Sequence, residues 1–89
     1  MNCLFHSMPK LKRLSGKEVI KFCEKHSFKI SRQNGSHINL VRIISDAKQV
    51  ITVPGHREID RGTLHSIYRQ LMYFISESEL RKFFYTSDR

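Results

Sequence analysis

The sequence predicts an α+β domain of order α-β-β-β-α. It has a three-stranded antiparallel sheet, helices on one face and a short extra helix at the C-terminal end. Three features predict it. Asn34-Gly35 stands between two alternating runs, Phe28-Lys29-Ile30-Ser31-Arg32 and His37-Ile38-Asn39-Leu40-Val41, the strongest short-range hairpin signal a chain offers. A third run, Val50-Ile51-Thr52-Val53, is stopped by Pro54-Gly55, a strong local breaker. Two capping boxes, Ser15 with Glu18 and Ser76 with Glu79, open helical stretches on either side of the strands. Sheets and helices of this kind bury one face each, and a two-layer packing satisfies both.

In chain order, residues 1–14 carry little pattern. Lys10, Lys12 and Arg13 form a basic lead-in that reads as a solvated arm. Met8 is a candidate natural start, with the first seven residues an extension. After Ser15, Val19, Phe22, Cys23 and His26 recur at helical spacing and define one apolar face. Lys17, Lys21 and Lys25 line another face, a solvated stripe or a phosphate-touching one. The helix is expected to end near Ser27. A second strand runs from His37 through Ile44, and Ser45-Asp46-Ala47-Lys48 is turn-like. A second helix is expected from about Thr63, with Leu64, Ile67, Tyr68, Leu71 and Ile75 on one face. The last short helix carries Leu80, Phe83 and Phe84, apolar surface for packing or for a partner. The predicted organisation is an arm over 1–13, a central domain over 14–75 and a C-terminal helix and tail over 76–89.

Side chains alternate across a strand, so the apolar pattern selects the register. A two-residue loop at Asn34-Gly35 pairs Arg32 with His37 and mixes apolar and polar residues on both faces. A three-residue loop, Gln33-Asn34-Gly35, pairs Ser31 with His37, Ile30 with Ile38 and Phe28 with Leu40, with Gly35 supplying a positive φ. This second register is preferred. It puts Phe28, Ile30, Ile38 and Leu40 on one face and Lys29, Ser31, His37 and Asn39 on the other. His37 is then on a polar, open face. For the next hairpin a four-residue loop pairs Leu40 with Val53 and Val41 with Thr52. Arg42 falls at the edge of the helix-facing side, its stem on the core and its head in water.

The chain has 89 residues, enough for one domain with a modest core. Sixteen Lys and Arg against eight Asp and Glu give a net charge of +8. That excess favours a polyanionic partner through counterion release and steering, against the plainer reading of a soluble basic protein. Two cysteines, Cys3 and Cys23, make no disulfide framework. The first residues lack the basic start of a signal peptide, and no apolar run of about 18 residues exists to span a membrane. A cytoplasmic protein is expected.

Of the five histidines, His37 alone is predicted on the open sheet face. His26 reads as a core-edge residue, His65 as solvated, and His6 lies in the arm. His56 follows Pro54-Gly55 in a loop. Cys23 and His26 share a helix but have nothing to complete a four-ligand metal set. Asp46, Glu58 and Asp60 are scattered, so no carboxylate cluster for two-metal phosphodiester cleavage is expected. No metal and no cofactor are predicted. The phenylalanines read as core rather than as base-stacking platforms, and the open face lacks the aromatic pairs of an RNA-recognition-motif sheet.

The chain resembles the HicA toxins of bacterial and archaeal toxin–antitoxin pairs. The matching pieces are Leu14-Ser15-Gly16-Lys17-Glu18-Val19, Gly35-Ser36-His37, Val53-Pro54-Gly55-His56, Glu58-Ile59, Gly62-Thr63-Leu64, Ile67 and Arg69-Gln70. They span about Pro9 to Ile75; each is weak alone, and their order and spacing together are specific. The resemblance implies a double-stranded-RNA-binding-domain-like fold, an endoribonuclease that cleaves mRNA, and a HicB antitoxin that masks the His37 face. The family's catalytic histidine maps onto His37. Two departures stand out: Leu71-Met72-Tyr73-Phe74 replaces a small or glycine-containing link, and the N-terminal extension is unusual.

Histidine suits RNA cleavage because its ordinary pKa of about 6.5 lies near operating pH. RNA carries its own nucleophile, the 2′-OH. On this reading His37 is the general base or acid of a metal-independent cleavage, Lys29 stabilises charge on the phosphorane and Arg32 holds an adjacent phosphate. Ser36 and His56 are weaker candidates, and Asn34 and Gly35 form the turn. The alternative is a non-catalytic double-stranded-RNA-binding module using Lys29, Arg32 and the first helix. A third possibility is a protein whose main role is to bind its antitoxin.

Overall fold

The first helix begins where Ser15 withdraws from it. The Ser15 hydroxyl accepts from the Glu18 N–H, and Glu18 Oε1 accepts from the Ser15 N–H at 2.8 Å. This reciprocal box satisfies two donors that a helix start otherwise leaves bare. The structure, a computed structural model, describes residues 10–86. Within them α1 is Gly16–Lys25, β1 Lys29–Asn34, β2 His37–Ile44, β3 Ala47–Pro54, α2 Arg61–Leu71 and α3 Glu77–Phe84. The order is α-β-β-β-α with an added C-terminal helix, as predicted. The candidate start at Met8, and all but the last few residues of the expected arm, lie outside the described residues.

α1 ends where expected. Ser27 takes φ 74°, while its N–H and that of Phe28 donate back to Glu24 and Cys23. This left-handed stop turns the chain straight into β1. α2 starts two residues before Thr63 because the Asp60 side chain caps it, accepting from the Thr63 N–H at 3.1 Å. That bond holds the Asp60 carboxyl below its ordinary pKa. For α3 only the hydroxyl half of the expected box is present, Ser76 Oγ accepting from the Glu79 N–H.

The sheet has order β1-β2-β3, antiparallel throughout, and corrects both expected hairpin registers. Asn34 pairs with His37, so the turn is Gly35-Ser36, and Asn34 closes β1 rather than sitting in the loop. The pairing runs Gln33 with Ile38 and Arg32 with Asn39, skips Ser31, then resumes with Ile30 opposite Leu40 and Lys29 opposite Val41. The β-bulge at Ser31 absorbs one residue. It reconciles a two-residue turn with an apolar face, which an unbroken ladder does not allow. The second turn is also tighter than expected. Ser45 and Asp46, at φ 50° and 69°, form a two-residue loop, so Ala47 and Lys48 belong to β3 and Leu40 pairs with Ile51. Paired positive φ values match the twist of a hairpin. The shift is by two residues, so each side chain keeps its expected face.

The core lies between the sheet and the helices. Leu40, Ile51 and Val53 from the strands meet Val19, Cys23, Leu64, Ile67, Leu71 and Leu80, all buried. Phe28, just ahead of β1, is buried with them. Phe84 is fully buried and Phe83 stacks on Phe22 with centroids 4.3 Å apart. The last helix therefore spends its aromatics on packing. The lead-in is also bound rather than free in its backbone: Leu11 bridges to Tyr85, and the Lys12 N–H donates to Phe84 O at 2.8 Å. Of the described lead-in residues 10–14, Lys10 and Arg13 are the exposed ones.

Arg42 differs from its expectation. Its guanidinium lies over the Phe28 ring, 4.8 Å from the centroid. Its head does not reach for water but donates to His26 O, Phe74 O and Gln49 Oε1 at 2.9, 2.7 and 2.8 Å. The ends of α1 and of the turn after α2 expose carbonyls with no helical partner, and the planar fork of an arginine satisfies several at once. It also fastens the bulky Leu71–Phe74 link, whose Phe74 ring lies 6.1 Å from that of Phe28.

Candidate active site

His37 is the first residue of β2, held between Asn34 of β1 and Pro54 of β3. Its neighbours Ile38 and Leu40 turn toward the helices, so His37 and Asn39 face the open side, as predicted. The imidazole is exposed and makes no hydrogen bond to a described residue. Two residues along the same face, Thr52 Oγ1 donates to Asn39 Oδ1 at 2.7 Å across the ladder.

The backbone around His37 is drawn tight by three glycines. Gly35 takes φ 59°, a value that costs other residues sterically. The Gly55 N–H donates to Ser36 O at 2.6 Å. Gly16 packs its α-carbon onto the end of β3: a Cβ there would stand 2.2 Å from Pro54 O, and its N–H donates to His56 O. The first turn of α1, the end of β3 and the β1–β2 turn thus form one rim. Gly16, Pro54, Gly55 and Ser36 are a sequence-scattered set that only the fold brings together.

The expected site residues divide. Ser36 and Gly35 form the turn itself, and Asn34 is the direct cross-strand neighbour of His37. Arg32, opposite Asn39, is on the His37 face and diagonal to it, within about 7–8 Å between strands. Lys29 shares that face but lies opposite Val41, four residues along β2 from His37, a rise of about 13 Å. The expected register placed it opposite Asn39; the bulge and the shorter turn carry it two residues farther off. His56 is exposed on the loop after β3, its carbonyl held by Gly16 and its ring near enough to help lower the Asp60 pKa. Sequence reasoning missed Asn34 as a strand residue beside His37 and the Asn39–Thr52 pair. The polar alternation of His37-Ile38-Asn39 was the available signal for the latter.

Cys23 is no nucleophile here. Burial pushes its thiol up to about 12, the Glu24 charge adding to the effect, and a thiol reacts as the thiolate. Among the described residues no three His, Cys, Asp or Glu side chains gather as a metal-holding set. No helix among them is long and apolar enough to cross a membrane.

The chain is a two-layer α+β domain of α-β-β-β-α order, with His37 on the sheet face opposite the described helices. The family model described as the HicA toxin of bacterial toxin–antitoxin systems matches residues 16–72, more than half of the chain. The chain belongs to this family. Comparison with curated proteins and with solved structures gave no match. Membership makes the protein a toxin of a toxin–antitoxin system and implies an antitoxin partner.

Proposed function

We propose that this toxin is a metal-independent endoribonuclease that cleaves mRNA, with His37 as its catalytic residue and a HicB antitoxin covering the His37 face. The observation that carries the proposal is the position of His37. It is an exposed histidine fixed in a strand between two paired neighbours, on the sheet face opposite the described helices.

The chemistry follows from what RNA brings. His37 removes the 2′-OH proton; the 2′ oxygen bonds to the adjacent phosphorus; the bond to the 5′ oxygen breaks and that oxygen takes up a proton. The products are a 2′,3′-cyclic phosphate and a 5′-OH. Arg32, diagonal to His37, neutralises charge on the phosphate. Lys29, about 13 Å along the strand, suits a flanking phosphate rather than the scissile one. His56 is the other imidazole at this rim and is the candidate for the second proton transfer.

An antitoxin has a surface to cover. On the same open face as His37, Ile43 is 67% exposed and Val50 44%, with Val41 between them. Exposed apolar patches next to polar sites mark partner surfaces.

The test is incubation of purified protein with a defined mRNA in EDTA, followed by analysis of the new 3′ ends. The expected result is cleavage that leaves cyclic phosphate. Activity that appears only when magnesium is restored contradicts the proposal. RNA binding without cleavage supports the alternative, a non-catalytic RNA-binding module.

A further inference from the structure

A cleft of about 340 Å³ opens away from His37, where the lead-in passes the start of α2. Lys10, Lys12, Arg13 and Arg61 line it, with Glu58 as the one carboxylate. Arg13 and Glu58 approach to only 3.8 Å and are both well exposed, a pair of little strength. The lining therefore carries a net excess of three positive charges.

These cations are carried on a held backbone. The Thr86 N–H donates to Lys10 O, and the Lys10 N–H donates to Thr86 Oγ1. Lys12 is tied to Phe84 by its N–H, and its ammonium lies 6.0 Å from the Phe83 ring centroid. On the other side the Ile59 N–H donates to Leu14 O. Charges on a fixed backbone bind an anion with less ordering cost than charges on a free arm.

The backbone that lines the cleft also leads to the site. Segment 10–16 runs beside 56–59 through the Leu14–Ile59 and Gly16–His56 bonds, and Gly16 abuts Pro54 and Gly55 at the His37 rim. Six residues of extended chain reach at most about 20 Å, the scale of a few nucleotides. The apolar parts of the lining, Leu11 and Ile59, are half-buried and buried, whereas protein interfaces centre on exposed apolar anchors. Those anchors lie elsewhere on the molecule, at Ile43, Val50, Met72 and Tyr73.

We propose that this cleft binds backbone phosphates of the RNA strand that His37 cleaves, holding it a few nucleotides from the scissile bond. The proposal rests on the ribonuclease reading. Lys10, Lys12 and Arg13 lie outside the family-matched residues 16–72, so the flank of this particular chain supplies most of the site.

The experiment uses the full chain with His37→Ala, which keeps RNA intact, and a labelled single-stranded mRNA fragment. Affinity is measured by anisotropy across a salt series. A triple variant, Lys10→Gln with Arg13→Gln and Arg61→Gln, is compared with an equal-charge control, Lys25→Gln with Arg69→Gln and Lys82→Gln, both checked for folding by circular dichroism. Each phosphate left without its cation lowers the slope of log K against log salt by about 0.7. The cleft triple is expected to lose roughly two in slope and the control little. In the active chain the cleft triple raises KM at least tenfold with kcat unchanged. Equal slopes for the two triples overturn the proposal and leave the cleft to an acidic protein partner. No RNA binding by the parent overturns the ribonuclease reading itself, and this proposal with it.

Discussion

The two faces of the sheet are made by the same residues taken alternately, and they do opposite work. On the helix side Leu40 and Val53 are wholly buried and Ile51 is 1% exposed. On the other side His37, Arg32 and Thr52 are exposed, and so are Ile43 and Val50. One face excludes water and supplies the burial that holds a small domain together. The other keeps water and leaves its groups free to meet a ligand. The difference teaches that chemistry and stability are separable here at single-residue spacing: a change at 40 and a change at 37 test different things.

Ranked by expected cost to the fold, substitutions sharpen that contrast. Leu40→Ala empties a site at the centre of the core and is expected to cost about 3–4 kcal/mol, a large part of a small domain's stability. Chemical denaturation reads it directly, and a cost under about 1 kcal/mol would show that the helix-facing side is not the true core. Arg42→Met comes next. It keeps an apolar side chain but removes the guanidinium from the Phe28 ring and strands the carbonyls of His26 and Phe74, at about 2–3 kcal/mol; a neutral result would mean that water replaces the guanidinium. On the open face Ile43→Lys with Val50→Lys is expected to shift stability by no more than about 0.5 kcal/mol. The same pair is expected to weaken the antitoxin complex at least tenfold in a titration. Unchanged affinity would place the antitoxin elsewhere.

How much of this was legible depended on how local the cause was. The existence of a hairpin at Asn34-Gly35, the Ser15 cap and the alternation that puts His37 and Leu40 on opposite faces could all be read, because each is set within a few residues. The register could not, because the bulge at Ser31 has no side-chain signature. The second turn was hidden too, since Ser45 and Asp46 adopt a conformation that glycine usually announces. Arg42 was placed on the correct side of the sheet and wrongly by its head, because the carbonyls it meets belong to residues 26 and 74. The clasp of Leu11 on Tyr85, and with it the basic cleft, joins the two ends of the chain and follows from no pattern within either. At the candidate site, His37 was visible, while its tight setting by Gly16, Gly55 and Pro54 emerged only from the fold.

The measurement that tests the central claim most directly is the cleavage rate of His37→Ala per folded molecule, taken with its thermal midpoint on the same sample. The expected result is a midpoint within about 2–4 °C of the parent and no cleavage of mRNA in EDTA. A folded His37→Ala protein that cleaves at the parental rate would contradict the account, and so would a variant that loses activity only because it has unfolded.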